Sequence, residues 1–267
     1  MKQISILGCG WLGLPLAKSL LKKGFSIQGS TTSQEKISVL KDAGIQAFQI
    51  ALSEEAILGD MDSFLKHSEI LIVDIPPKLR GNSKENFVQK IQNLIPFIEA
   101  STVQKVIFIS STSVYADDNA VVSESTPPQP DSESGRQLLE TECLLQKPSH
   151  FKTTVVRFGG LIGENRHPIH FLAGRTSIEN PEAPINLIHL SDCIGIIEKI
   201  IDANCFGETF HAVAPFHPTR KAYYTQKAVE LKLALPQFNE EKQSIGKTIL
   251  SDKVQTILKY TFLNTNL

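Results

Sequence analysis

Apolar positions fall along this chain in two alternating patterns: short continuous runs, and longer stretches with an apolar residue every three or four positions. Lys2–Leu7 is the first such run and reads as a strand. Leu12, Leu16, Leu20 and Leu21 then form the buried stripe of a helix from about Leu12 to Lys23. Pro15 is tolerated in its first turn, and Gly24 ends it. Phe25–Ser30 reads as a second strand, Gln34–Ala43 as a helix closed by Gly44, and Ile45–Leu52 as a third strand. Glu69–Ile75 and Lys105–Ser110 are continuous apolar runs, the mark of strands buried on both faces of a parallel sheet. Helices are expected from about Ser83 to Ala100 and from Gly135 to Leu145, with a further strand at Thr153–Phe158. Strand and helix alternating in this way predict an α/β protein: a Rossmann-type, doubly wound parallel sheet with right-handed crossovers.

Beyond residue 160 the pattern loosens. Asn186–Leu190 and Glu208–Val213 read as short strands, and Asp192–Ala203, Lys221–Leu231 and Asp252–Lys259 as helices. Residues 1–160 are therefore expected to form a dinucleotide-binding core. Residues 161–267 are expected to form a smaller lobe that completes the sheet and covers the cleft at the carboxyl ends of its strands.

The first strand runs into Gly8-Cys-Gly10-Trp-Leu-Gly13, and a helix follows at once. This G-x-G-x-x-G order suits a dinucleotide: Gly8 for the tight turn, Gly10 for close approach to a pyrophosphate, Gly13 for helix–strand packing. The anion then meets backbone N–H groups that lack intrahelical partners. Cys9, Trp11 and Leu12 belong to the same turn, and Ile75 and Pro76, after the fourth strand, are expected to flank the cofactor.

An NAD site usually carries Asp or Glu at the end of the second strand, to accept from the ribose 2′-hydroxyl. Here that strand ends in Ser30, Thr31, Thr32 and Ser33, with no acid, and Lys36 follows one turn into the next helix. Hydroxyls and a lysine suit a 2′-phosphate, so NADP is expected over NAD; the alternative is that Ser33 simply caps the helix.

The 267 residues carry a net charge of −1, which gives no reason to expect nucleic acid or an anionic membrane as partner. No apolar run approaches the roughly 20 residues of a membrane span, and the N-terminal residues read as strand and helix rather than as a signal peptide. Cys9, Cys143, Cys193 and Cys205 are scattered, without metal-ligand spacing, as expected of free thiols in a reducing cytoplasm. His167 and His170 are separated by Pro168 and do not suggest a metal pair.

Five segments occur in the order of a known family: the glycine turn, Phe108-Ile-Ser-Ser-Thr-Ser-Val-Tyr115, Gly135-Arg136 with Glu142, Arg157-Phe-Gly-Gly-Leu-Ile-Gly163, and Ile188-His-Leu-Ser-Asp192. Together they resemble the extended short-chain dehydrogenase/reductase family, which includes nucleotide-sugar epimerases and dehydratases. The G-x-G-x-x-G turn looks like that of atypical members. The resemblance implies an NAD(P) cofactor and a small-molecule substrate, phosphorylated or a nucleotide sugar. It implies a catalytic hydroxyl at Ser111, and substrate phosphate held by Arg166 and Arg175.

The family's proton chemistry uses a Tyr-x-x-x-Lys pair, in which the ammonium lowers the phenol pKa. The matching helix places Ser134 and Leu138 at those positions, and neither can do that work. Tyr115 is the substitute proton donor the sequence suggests, with Arg136, Arg157 or Arg166 as its cation. Tyr223 to Lys227 has the right spacing but lies far downstream. His189 reads as structural.

Two functions follow: an oxidoreductase-type enzyme with a non-standard proton donor, or a non-catalytic dinucleotide-binding sensor or scaffold. The run Gly10-Trp-Leu-Gly-Leu-Pro-Leu-Ala17 also looks like the turn of sugar-nucleotide and hydroxyacid dehydrogenases. Their mostly helical second domain is at odds with the strand-like segments after residue 185.

Overall fold

The computed structural model describes residues 2–77, 79 and 85–267. The first half of the chain forms β1 (Gln3–Leu7), α1 (Gly13–Lys22), β2 (Ser26–Thr31), α2 (Lys36–Asp42) and β3 (Gln46–Gln49). These are followed by β4 (Ala51–Leu52), β5 (Ile57–Leu58), α3 (Met61–Leu65), β6 (Ile70–Val73), α4 (Phe87–Ala100) and β7 (Lys105–Ser111). The second half forms β8 (Val121–Val122), α5 (Glu133–Gln146), β9 (Lys152–Phe158), β10 (Gly160–Ile162), α6 (Ile169–Leu172) and β11 (Leu187–His189). It ends with α7 (Leu190–Asp202), β12 (Thr209–Ala212), α8 (Arg220–Glu230), β13 (Thr248–Ile249) and α9 (Asp252–Thr256).

Seven strands make one parallel sheet in the order β12-β9-β7-β6-β1-β2-β3. The chain builds outward from β1 in one direction and then returns to β6 and builds outward in the other. This is the doubly wound Rossmann arrangement, with its switch point between β1 and β6. One face is covered by α1, α2, α7 and α9 through Leu16, Leu20, Leu40, Ile196, Ile200 and Val254. The other is covered by α3, α4 and α5 through Phe64, Phe87, Ile91, Leu94, Leu138 and Leu145. With apolar layers on both faces, all of β6 is buried, which is why its sequence is an unbroken apolar run. A third, smaller cluster packs α6 and α8 around Ile169, Tyr223 and Tyr224.

The helix ends follow local chemistry. Gly24, at φ 88°, lets the amide of Phe25 reach back to the Leu20 carbonyl and its own amide reach Leu21, closing α1. Ser132 Oγ caps α5 by accepting from the Gly135 amide, and Asn86 Oδ1 caps α4 by accepting from Gln89. Residues 83 and 84 of the helix expected from Ser83 lie outside the described residues, and the helix itself spans Phe87–Ala100.

The expected strand Ile45–Leu52 is two strands. Ile50 still donates to the Thr31 carbonyl, but Ala51–Leu52 then leaves the sheet and pairs antiparallel with Ile57–Leu58. Ser33 does not cap α2, which starts at Lys36 after Glu35 with no side-chain cap; instead the Ser33 amide donates to Thr31 Oγ1. Among the described residues no helix is long and apolar enough to cross a membrane.

The C-terminal tail is held by one buried carboxylate. Asp192, in the first turn of α7, accepts from Tyr260 Oη at 2.9 Å, the Leu263 amide at 2.7 Å, and the Asn264 amide and Nδ2 at 3.1 and 2.8 Å. Its place in that turn also suits the helix dipole. Asp192→Ala would leave these donors without their acceptor. The expected cost is at least about 2 kcal/mol of stability in urea unfolding, with residues 260–264 losing amide-exchange protection.

Candidate functional site

The site is built at the switch point, where β1 and β6 end side by side. Gly8, at φ 107°, turns the chain so sharply that a Cβ there would collide with the Asp74 carbonyl oxygen. A Cβ at Gly13 would collide with the Gly8 carbonyl oxygen, so the first turn of α1 lies directly on the end of β1. Gly8 donates its amide to Ser30 Oγ at 3.0 Å, and Cys9 donates its amide to the Ser30 carbonyl at 2.7 Å, tying the turn to β2. Around Gly10 nothing lies within 4 Å of where a Cβ would be.

That open space is part of a cavity of about 200 Å³. Its floor is Leu7, Gly8, Cys9 and Gly10; one wall is Ser30, Thr31, Thr32 and Lys36; the other is Asp74, Ile75 and Pro76 with Phe87 and Lys90 from α4, and Ile50 and Leu52 complete it. The structure thus gathers nine of the sequence-predicted cofactor residues around one space: Gly8, Cys9, Gly10, Ser30, Thr31, Thr32, Lys36, Ile75 and Pro76. Four others stand outside the lining. Leu12 is buried in the core, Gly13 packs on the turn, Ser33 follows the wall, and Trp11 turns toward residue 163. Cys9 is a packing residue: its thiol lies against Gly29, and burial, with the Asp74 charge, pushes it up to about 12.

Asp74, Phe87 and Lys90 were not singled out from the sequence. Lys36 and Lys90 are the cations among the described lining residues, and Asp74 is the acid. Lys90 pairs with Glu85 at 2.5 Å. Asp74 is half-buried against the turn and accepts from the Gly13 amide. Burial pushes its carboxyl up to about 7, against the opposing pull of that amide and the Arg166 guanidinium. An acid ending an otherwise apolar strand next to a glycine turn is the signal that could have found it.

Arg166 is placed beside the glycine turn. The amides and carbonyls of Gly163 and Arg166 bond to one another, and this tight turn sets the guanidinium 4.9 Å from the centre of the Trp11 ring. The indole in turn rests 3.0 Å from the Cβ position of Gly163. Arg175 is exposed, its backbone bonded to Leu172 and Gln237, and it does not line the cavity. His167 donates from Nε2 to Tyr223 Oη, because Nδ1 accepts from the Ile169 amide. His189 caps α7, accepting from the Ser191 amide. Among the described residues no three His, Cys, Asp or Glu side chains converge as metal ligands.

Tyr115 stands apart from the cavity, 2% exposed, in a polar network beneath the sheet end. Arg157 forks onto Glu142, at 2.5 Å from Nη2 to Oε2, and its Nη1 donates to Tyr115 Oη. Tyr115 Oη lies 2.8 Å from His211 Nε2, and His211 Nδ1 lies 2.9 Å from the Leu250 carbonyl. A carbonyl only accepts, so His211 carries its proton on Nδ1 and the phenol donates to Nε2. Burial pushes His211 down to about 4 and raises the Tyr115 phenol. Of the three arginines the sequence offered as partners for Tyr115, Arg157 is the one in place. Ser111 Oγ, half-buried, accepts from the Ser113 amide, and neighbouring Ser110 donates to Glu142. On α5, Leu138 is buried and Ser134 half-buried.

Comparison with known proteins gives the following. No family model matches the chain. Protein YeeZ of Escherichia coli K12 is 35% identical over 265 residues, covering 98% of this chain and 96% of that protein. The UDP-glucuronic acid 4-epimerase of Bacillus cereus, solved in complex with NAD, superposes with a TM-score of 0.79 at 19% identity, over 97% of this chain and 91% of that one. A short-chain dehydrogenase/reductase superfamily protein of Agrobacterium tumefaciens with bound NAD gives 0.79 at 15% identity, over 97% and 92%. These two structures share the fold of the present chain.

The raised Asp74 carboxyl has a consequence for stability. The folded protein holds this proton up to about pH 7, whereas an unfolded aspartate loses it near pH 4, so the group lowers stability as pH rises between those values. Asp74→Asn removes the penalty. Its melting temperature should exceed that of the parent at pH 8, and the gain should vanish at pH 4.

Proposed function

The chain belongs to the family of protein YeeZ, and on that footing we propose that it binds a nicotinamide dinucleotide in the cavity at the glycine turn, NADP in preference to NAD. The observation that carries this is the cavity itself. A three-glycine turn opens onto it, and nothing fills the space around Gly10. The pyrophosphate would lie at the N-terminus of α1, and the adenosine end along Ser30, Thr31 and Thr32. Two observations support NADP. The end of β2 offers hydroxyls and no acid, and Lys36 and Lys90 are the cations among the described residues of the lining. Trp11, Leu12, Gly13 and Ser33 would then support the turn and wall from behind.

The reaction we propose is of the oxidoreductase type, on a small phosphorylated substrate or nucleotide sugar, in the cytoplasm. Residues 161–267, which complete the sheet of the 1–160 core with β12 and cover one face of it with α7 and α9, would also supply the smaller substrate-facing lobe over the cleft. Ser111 would supply the hydroxyl, and the chemistry would proceed without the Tyr-x-x-x-Lys pair. The enclosure of Tyr115 favours a second reading, a dinucleotide-binding sensor or scaffold. With its phenol donating to His211 and accepting from Arg157, it has no free role in the cleft. Arg175, exposed and outside the cavity, would meet only a substrate reaching well beyond the cofactor.

Gly10→Val places a branched side chain in empty space, so the variant should keep the parent's melting temperature and lose dinucleotide binding. Titration of NADP and NAD into both proteins checks this; an unaltered dissociation constant for the variant would overturn the site. The parent should bind NADP at least about tenfold tighter than NAD, and Lys36→Ala should narrow that gap by about 1 kcal/mol or more.

Turnover of the nicotinamide ring against sugar nucleotides, aldehydes and ketones separates the two functions. An enzyme without the family pair should be slowed roughly 100- to 10,000-fold relative to one that has it, and Tyr115→Phe should leave that slow rate unchanged. A sensor should show no turnover on any substrate.

A further inference from the structure

We infer that Asp74 is a phosphate-facing acid, which in its protonated form donates a hydrogen bond to the dinucleotide's pyrophosphate, so that in alkaline solution each dinucleotide bound brings close to one proton with it. This rests on the dinucleotide reading of the cavity and adds a residue that the glycine motif does not contain.

The carboxylate stands where the ligand's charge must go. Asp74 follows β6 directly at the switch point, lines the cavity beside Gly8 and Gly10, and accepts from the Gly13 amide at the head of α1. Its Oδ2 lies 3.1 Å from the position a Cβ would take at Gly13. A pyrophosphate seated on this turn uses the same helix N-terminus. Two anions cannot share such a place in their charged forms without a large repulsive cost. Protonation resolves the conflict: a neutral carboxyl keeps one oxygen for the Gly13 amide and turns the other into a donor toward a phosphate oxygen, a short charge-assisted bond.

The groups around Asp74 fit this behaviour. Arg166, from the turn after β10, is a cation that acts on it, and its stacking on Trp11 keeps it near. The Cys9 thiol of the turn and the Cys193 thiol of α7 also feel its charge, and burial keeps both in the neutral form. Lys36 and Lys90 line other parts of the same cavity. From the protein alone, burial pushes the carboxyl up to about 7 against the pull of the Gly13 amide and Arg166. An added pyrophosphate, with two negative charges, pushes it higher still, and the proton comes from solvent.

Calorimetric titration of NADP into the full-length protein and into Asp74→Asn tests this at pH 6.5 and pH 8.5, each in two buffers of different ionisation heat. Asparagine keeps the acceptor for Gly13 and offers an N–H to the phosphate at every pH. The 2′-phosphate of NADP titrates identically in both proteins, so their difference isolates Asp74. The parent's affinity should fall about tenfold per pH unit above pH 7 relative to the variant. Its heat at pH 8.5 should differ between buffers by close to one proton taken up, and Asp74→Asn should lose both effects. Binding by the parent with no proton uptake at pH 8.5 would overturn the inference and leave the dinucleotide site standing, as would the same uptake in Asp74→Asn. Absence of NADP binding at both pH values would overturn the dinucleotide reading and this inference with it.

Discussion

The ends of β1 and β6 lie so close together that the chain leaving β1 has no room for a side chain on its inner edge. The Gly8 Cα backs onto the Asp74 carbonyl, and Gly13 backs onto Gly8 in turn. That crowding brings the N-terminus of α1 down onto the strand ends, the geometry by which a Rossmann sheet presents helix amides to an anion. It also forces β2 to pass close by, where Gly29 leaves space for the Cys9 thiol and Ser30 ties the turn down through its hydroxyl and its carbonyl. A larger residue at any of these positions would lift the turn from the sheet. The cavity exists because backbone, rather than side chains, fills the switch point.

On the other flank of the sheet a buried polar network does a different job. Ser110 on β7 and Arg157 on β9 meet at Glu142 on α5, and Tyr115 links Arg157 to His211 on β12, so one set of hydrogen bonds joins three strands and a helix. Each polar atom in it has a partner, as burial of charge requires. The cost is chemical freedom: a phenol that bridges a guanidinium and a neutral imidazole is held in place, away from the cleft. In α5, Leu138 joins the apolar layer against the sheet and Ser134 is half-buried.

Local rules were enough for much of this. Continuous apolar runs marked β6 and β7, because a strand covered on both faces is apolar nearly throughout. The glycine turn announced both the fold and the place of the cavity, since few residues other than glycine tolerate such close backbone approach. The residues lining the cavity from β1 and β2 were legible for the same reason: they sit within a few positions of the turn in sequence as well as in space.

What sequence could not decide depends on contacts between distant segments. Lys90 and Phe87 enter the cavity only because α4 packs across β6, and nothing in their own neighbourhood distinguishes them from other helix residues. Ile45–Leu52 reads as one strand by alternation, yet the sheet edge releases it after Ile50, where a hairpin with residues 57–58 offers its hydrogen bonds instead. Tyr115 looked available to a substrate until His211, 96 residues away, was found bonded to it. Arg166 looked like one loop arginine among others until its turn set it on Trp11. Periodicity and glycine chemistry act over a few residues and are written in the chain. Burial, charge and hydrogen-bond partnership arise only when strands far apart in sequence lie side by side, and these settle which polar groups face a ligand and which face the core.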